Sequence, residues 1–238
     1  MAKHTLIFIV LWFVCSSSLV PALTMGRAGG LKVMIVGNSI SHGYQGDYTW
    51  RYRIWQWSRD NSLPIQFVGP YTGTNPPDDP LPPQPPPLLG EHPSPTPPKT
   101  WGTYAKDVDE AFLSECNHFS VWGRQVAQDM SLIRDQVSEY QPDILLVELG
   151  FNDMGWFVSG PDGTLHNMKA FIDNARSAKS SIKMAIANVP QRSFMIGRED
   201  LVRNTLAYNT NLSKSLEQWT AENSQLELVD LQAHYDCE

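Results

Sequence analysis

The sequence predicts an α/β domain in three α/β/α layers, with a five-stranded parallel sheet at its centre. Apolar runs of strand length recur along the chain, beginning with "LKVMIV" at 31–36, and lack the alternation of half-exposed strands. Stretches of helical apolar spacing lie between them, which is the order of strand and crossover helix that a parallel sheet requires. Of the 238 residues, 42% are hydrophobic and 18% charged. That balance suits one globular core at this length.

The elements follow in order. After the strand at 31–36 a helix is expected over about 48–60, with Trp50, Ile54 and Trp57 at helical spacing. "IQFVG" (65–69) is the second strand. Val126, Met130, Ile133 and Val137 mark one face of the next helix, which Pro142 ends. "ILLVEL" (144–149) is the third strand. Met168, Phe171, Ala175 and Ala178 mark a further helix before the strand "IKMAIANV" (182–189). Leu201, Tyr208, Leu212, Leu216 and Trp219 share one face of a long helix, and "LELVD" (226–230) is the fifth strand.

Two segments stand apart from this alternation. Residues 1–22 carry Lys3 and His4, an apolar run from Leu6 to Val14, and then small residues, the layout of a secretory signal peptide cleaved soon after Ala22. The run is short for a membrane span, although an uncleaved anchor is the rival reading. The expected mature domain is therefore 23–238, an extracellular protein. Residues 75–98 hold 12 of the 18 prolines. Proline lacks the donor that ladders and helix interiors need, so this stretch reads as a surface insert. A solvated loop and a lid or docking arm are both open.

Charge and cysteine content narrow the partners. Removing residues 1–22 takes away one cation and no acid, so the net charge moves from −7 to −8. An acidic chain without a Lys/Arg run is poorly suited to nucleic acid or anionic membrane. Cys116 and Cys237 remain after the leader, and sequence alone does not show whether they meet. No Cys/His cluster has zinc spacing. Asn211-Leu212-Ser213 is the one glycosylation sequon.

Ligands of open parallel sheets bind beyond the carboxyl ends of the strands, so strand-end residues are the candidates for chemistry. Ser39, in "GNSISHG", follows the first strand. It reads either as a nucleophile at a helix start, where free N–H groups favour developing negative charge, or as a plain N-cap. Asn152, in "LGFNDMG", follows the third strand. Its amide can complete an oxyanion hole, or the segment is a turn. Gly123, in "HFSVWGRQVAQ", permits close approach of its N–H to a ligand, or marks only a helix start.

Taken together, "GNSISHG", Gly123 and "VELGFNDMGWF" resemble the SGNH (GDSL-type) hydrolase family, over about 31–230. The resemblance implies a flavodoxin-like fold and a secreted esterase that forms an acyl-enzyme without metal or organic cofactor. It implies Ser39 as nucleophile, and Ser39, Gly123 and Asn152 as the oxyanion hole. Carboxylic esters, including lipids and acetylated sugars, are the implied substrates. Two features depart from the family pattern. Asn38 stands where G-D-S has Asp. The family's D-x-x-H after the fifth strand is not found; "DLQAHYDCE" offers Asp230 and His234 at D-x-x-x-H spacing. A neutral serine needs a hydrogen-bonded base, so the expectation is a chain that is C-terminally short and weakly active. The alternative is a non-catalytic binding protein that uses the same cleft, for example for carbohydrate. Trp156 and Phe157, beside Asn152, fit a sugar or acyl platform, or packing.

Overall fold

The computed structural model describes residues 30–77 and 97–234. Residues 1–22, where a signal peptide is expected, most of the proline-rich stretch and Cys237 lie outside them. The described strands are β1 (Leu31–Gly37), β2 (Ile65–Phe67), β3 (Phe119–Ser120), β4 (Ile144–Glu148), β5 (Lys183–Ala187) and β6 (Leu226–Val229). The helices are α1 (Ser39–His42), α2 (Thr49–Asp60), α3 (Glu110–Leu113), α4 (Val126–Tyr140), α5 (Phe151–Gly155), α6 (Pro161–Ala178), α7 (Asp200–Trp219) and α8 (Leu231–His234).

The sheet is parallel throughout, in the order β2-β1-β4-β5-β6. It has one strand more than the five expected. The extra strand, β3, is two residues long, too short to show as an apolar run. It shares an edge of β1 with β2: Leu31–Val33 pair with Ile65–Phe67, and Val36–Gly37 pair with Phe119–Ser120. Strand order reverses between β1 and β4, and that switch point is where open α/β sheets hold ligands.

Alternation along each strand feeds two cores. Met34 and Val36 of β1, Leu145 and Val147 of β4, and Met184 and Ile186 of β5 pack with α4, α6 and α7 on one face. Val33 and Ile35, Ile144 and Leu146, and Ala185 and Ala187 pack on the other with Tyr52, Ile54 and Trp55 of α2, Phe112 of α3 and Leu231 of α8. Burial on both faces is why these strands read as continuous apolar runs.

The helices expected from apolar spacing are present, with one correction. The expected stripe on α2 was Trp50, Ile54 and Trp57. The residues it buries are Arg51, Tyr52, Ile54, Trp55 and Ser58. Arg51 can turn inward because its guanidinium donates to the carbonyls of Ser41 and His42 and to Tyr104 Oη. An arginine whose two terminal guanidinium nitrogens are bonded thus occupies core that spacing assigned to tryptophan.

The proline-rich stretch leaves and returns through a closed neck. Thr74 and Gly102 exchange main-chain hydrogen bonds of 2.7 and 2.9 Å, and Gly73 N donates to Thr100 O at 3.1 Å. Cys116 is buried and forms no disulfide among the described residues, its thiol against the carbonyls of Thr72 and Leu113. No helix among the described residues is long and apolar enough to cross a membrane.

Candidate active site

Three strands finish in one row at the switch point. Gly37 at the end of β1 is paired with Ser120 at the end of β3 and with Glu148 at the end of β4. Ser39, Gly123 and Asn152 lie two, three and four residues beyond that row. The sheet therefore delivers all three to its carboxyl edge, on adjacent connections.

Ser39 is the first residue of α1, a single turn. The N-cap of that turn is Asn38, whose Oδ1 accepts from Ile40 N at 2.8 Å. Capping is thus done by the neighbour, and Ser39 Oγ has no hydrogen-bond partner among the described residues. The turn is tightly floored. Asn38 Nδ2 donates to Glu148 Oε1 at 2.8 Å, and Ser41 Oγ donates to Glu148 Oε2 at 3.0 Å. Gly37 is required beneath it, because a Cβ there would lie 2.4 Å from Ser41 Oγ. Glu148 is 5% exposed, and burial pushes its carboxyl up to about 8 against the pull of its two donors.

The Gly123 loop is tied to both neighbours. On one side Trp122 N donates to His42 Nδ1 at 3.0 Å. On the other, Asn152 Nδ2 donates to Arg124 O at 2.9 Å. Asp153 accepts from Val126 N at 2.9 Å and from Ala127 N at 3.1 Å. Gln125, the N-cap of α4, makes no side-chain cap bond, so a carboxylate from α5 serves that helix start instead. Gly123 takes φ of +82°, a backbone that only glycine adopts freely. The main-chain N–H groups of Ser39 and Gly123 donate to no described residue, and one N–H of the Asn152 amide is left over. An edge with three such donors can bind an oxygen that gains negative charge.

The histidines divide clearly. His42, three residues after Ser39, is fully buried. Its Nδ1 is occupied as an acceptor, which puts the ring proton on Nε2, and Nε2 has no partner among the described residues. Burial, then the Arg51 charge, lowers it to about 3, so this ring is held neutral. His118 is also buried, with Nε2 against Gly73 O at 2.8 Å and Nδ1 accepting from Ser120 N at 3.0 Å. His166 lies exposed on α6. His234 ends α8, is exposed, and has no hydrogen bond to Ser39. Asp230 caps α8: its Oδ1 accepts from Ala233 N at 3.0 Å and from Asn188 Nδ2 at 2.7 Å.

Glu148, Asp153 and His42 hold this edge together and were not singled out as such from the sequence. Glu148 had a readable signal, a lone acid in the apolar run "ILLVEL". The bond between His42 and Trp122 spans 80 positions and has no local signal. Phe157 is 74% exposed, with the Arg198 guanidinium 3.9 Å from its ring centre, while Trp156 is half-buried. Among the described residues no group of His, Cys, Asp and Glu has the arrangement of a metal site.

Known structures share this fold. A carbohydrate esterase of family 3 from Talaromyces cellulolyticus aligns at a TM-score of 0.62 and 19% identity, over 84% of this chain and 79% of that one. A mutant acetyl esterase solved with acetate aligns at 0.61 and 19%, over 84% and 79%. A family 3 carbohydrate esterase from Clostridium thermocellum aligns at 0.57 and 16%, over 85% and 79%. No curated protein matches in sequence. The model of the GDSL-like Lipase/Acylhydrolase family matches residues 35–238, which takes in the whole switch-point edge, and the chain belongs to that family.

Proposed function

We propose that this chain hydrolyses carboxylic esters, with acetylated carbohydrate as the substrate class, through an acyl-enzyme on Ser39. The observation that supports the reading is the row Ser120–Gly37–Glu148, after which the three connections carrying Ser39, Gly123 and Asn152 begin. Ser39 Oγ attacks the carbonyl carbon and the π pair moves to the oxygen. The N–H groups of Ser39 and Gly123 and the free N–H of Asn152 receive that oxyanion. Collapse expels the alcohol, which leaves with the serine proton carried by a base. Water then attacks the acyl-serine, and the acid departs as Ser39 regains a proton. The substrate class follows the acetyl and carbohydrate esterases that share the fold.

The base is the weak point. His42 and His118 are neutral and committed elsewhere, and His234 is not bonded to Ser39. We therefore expect slow turnover by the chain of residues 1–238. The oxyanion site alone supports a residual rate, of order 10³–10⁴ over water in serine proteases stripped of triad members. The leader-like 1–22 supports export, and the closed neck at Thr74–Gly102 supports a surface insert between its feet.

That no described histidine is bonded to Ser39 also supports a second reading, a binding protein for acetylated carbohydrate. One experiment separates the two. The chain is incubated with p-nitrophenyl acetate and digested, and the peptides are weighed. An acetyl group on Ser39, absent in Ser39→Ala, is the expected result. Saturable binding of acetylated xylo-oligosaccharide by both proteins, with no adduct in either, favours the binding protein.

A further inference from the structure

We infer that Glu148 is a positioning residue for the nucleophile, matched to Asn38, so that the carboxyl of this corner sits on the sheet instead of on the turn. The inference rests on the reading of Ser39 as nucleophile. Glu148 touches no reacting atom. It holds the residues on either side of Ser39: Asn38 through Oε1 and Ser41 through Oε2. Trp50 Nε1 also reaches Ser41 Oγ, at 3.3 Å, which fixes the far end of the turn against α2. The carboxyl group, Asn38 and Ser41 are all buried, so the grip is made in a low dielectric where lost bonds are expensive.

The Asn38 amide is used at both ends. Its Oδ1 accepts from Ile40 N and its Nδ2 donates to Glu148. An aspartate at position 38 could still cap Ile40. It would, however, set a second carboxyl at the 2.8 Å contact now made by the Asn38 amide. Two carboxyls at that distance hold together only by sharing one proton, a demand that the Asn38 amide does not make. Asn38 and Glu148 are therefore one choice. An aspartate on the turn calls for a donor at position 148, and a glutamate at the strand end calls for a donor at position 38. The exchanged pair, Asn38→Asp with Glu148→Gln, restores every bond. The introduced glutamine amide donates to the introduced aspartate, its oxygen accepts from Ser41, and the aspartate caps Ile40.

The test is a double-mutant cycle on the full chain: wild type, Asn38→Asp, Glu148→Gln, and both together. Two quantities are read, Tm and the rate of Ser39 acetylation by p-nitrophenyl acetate at saturating and sub-saturating ester. Asn38→Asp is expected to slow acetylation at least tenfold at saturation with little change in half-saturation, and to lower Tm. Glu148→Gln alone is expected to slow it several-fold. The double variant is expected to return to within about threefold of wild type in rate, and to recover Tm. Additive losses in the double variant overturn the pairing. Recovery of Tm with acetylation unmoved across the cycle overturns the positioning role and leaves Glu148 structural. Acetylation absent from Ser39 in all four proteins overturns the nucleophile reading, and the positioning claim with it.

Discussion

At the β1–β4 corner, polar bonds join different elements and leave donors unused. Asn38 and Ser41 both donate to Glu148, and Trp122 N donates to His42. Asn152 and Asp153 hold the loop from Arg124 to Ala127. Yet the N–H groups of Ser39 and Gly123 and one N–H of Asn152 point at no described residue. At the β5–β6 corner the bonds close on themselves. The Asn188 amide donates to Asp230 and accepts from Gln232 N, and Asn209 bonds to both main-chain groups of Val189 and to Gln232. Polar groups without a protein partner are normally met by water, and at this corner, where Ser39 is half-buried, a ligand oxygen can take the water's place. A satisfied corner is a structural joint. On the proposed reading the first corner is the oxyanion site, and the described residues of the second corner hold no base bonded to Ser39.

The sharpest way to break the comparison is to remove a spare donor. Asn152→Ala is expected to slow Ser39 acetylation about 10²–10³-fold, the usual loss of an oxyanion donor. Its Tm should fall as well, because the same substitution removes the Asn152 Nδ2 bond to Arg124 O. Next in size is the tie between the two connections. Asp153→Ala leaves Val126 N and Ala127 N without their acceptor, and a loss of about 2 kcal/mol in urea unfolding is expected.

A smaller effect concerns pH. The Glu148 carboxyl is raised in the fold to about 8 from an ordinary 4.5. Its contribution to stability is therefore complete below pH 4.5 and is lost as pH rises through about 8. The sign follows because the folded state binds the proton that the unfolded state has released. Glu148→Gln removes this contribution. Across pH 5–8 its Tm should fall less with pH than that of wild type, by on the order of 1 kcal/mol of stability per pH unit. The histidines act in the opposite sense: His42 and His118, both lowered by burial, draw stability away as pH falls below about 6.5. Comparison with the glutamine variant cancels their part. The smallest effect belongs to the closed corner. His234→Ala is expected to leave acetylation unchanged and to shift stability by less than about 0.5 kcal/mol, as at ordinary surface sites. Loss of acetylation in that variant would make His234 the base and reverse the comparison.

Much of the fold is legible in the sequence because strands buried on both faces declare themselves. Val33–Val36 and Ile144–Val147 need no partner to be recognised. Ser39, Asn152 and Gly123 could be picked out because each follows a strand or precedes a helix in a short stretch of unusual composition. What holds them was less visible. The carboxylate that caps α4 comes from Asp153, 27 positions from Val126. Glu148 sits in an apolar run, where its fitness depends on Asn38, 110 positions away. Such bonds come from chain segments brought together by the sheet, and no window of sequence contains both ends. The burial of Arg51 misled for the same reason: its acceptors at Ser41 and His42 belong to a different turn, and Tyr104 lies 53 residues on.

The central claim is that three strand ends build one oxyanion site. The most direct measurement is a crystal structure of the chain after reaction with a small alkyl phosphonate ester, whose phosphoryl oxygen stands in for the oxyanion. The account predicts phosphorus bonded to Ser39 Oγ, with one phosphoryl oxygen within about 2.7–3.2 Å of Ser39 N, Gly123 N and Asn152 Nδ2 together. A phosphonate on Ser39 whose oxygen faces solvent, with Asn152 turned to other partners, would contradict it.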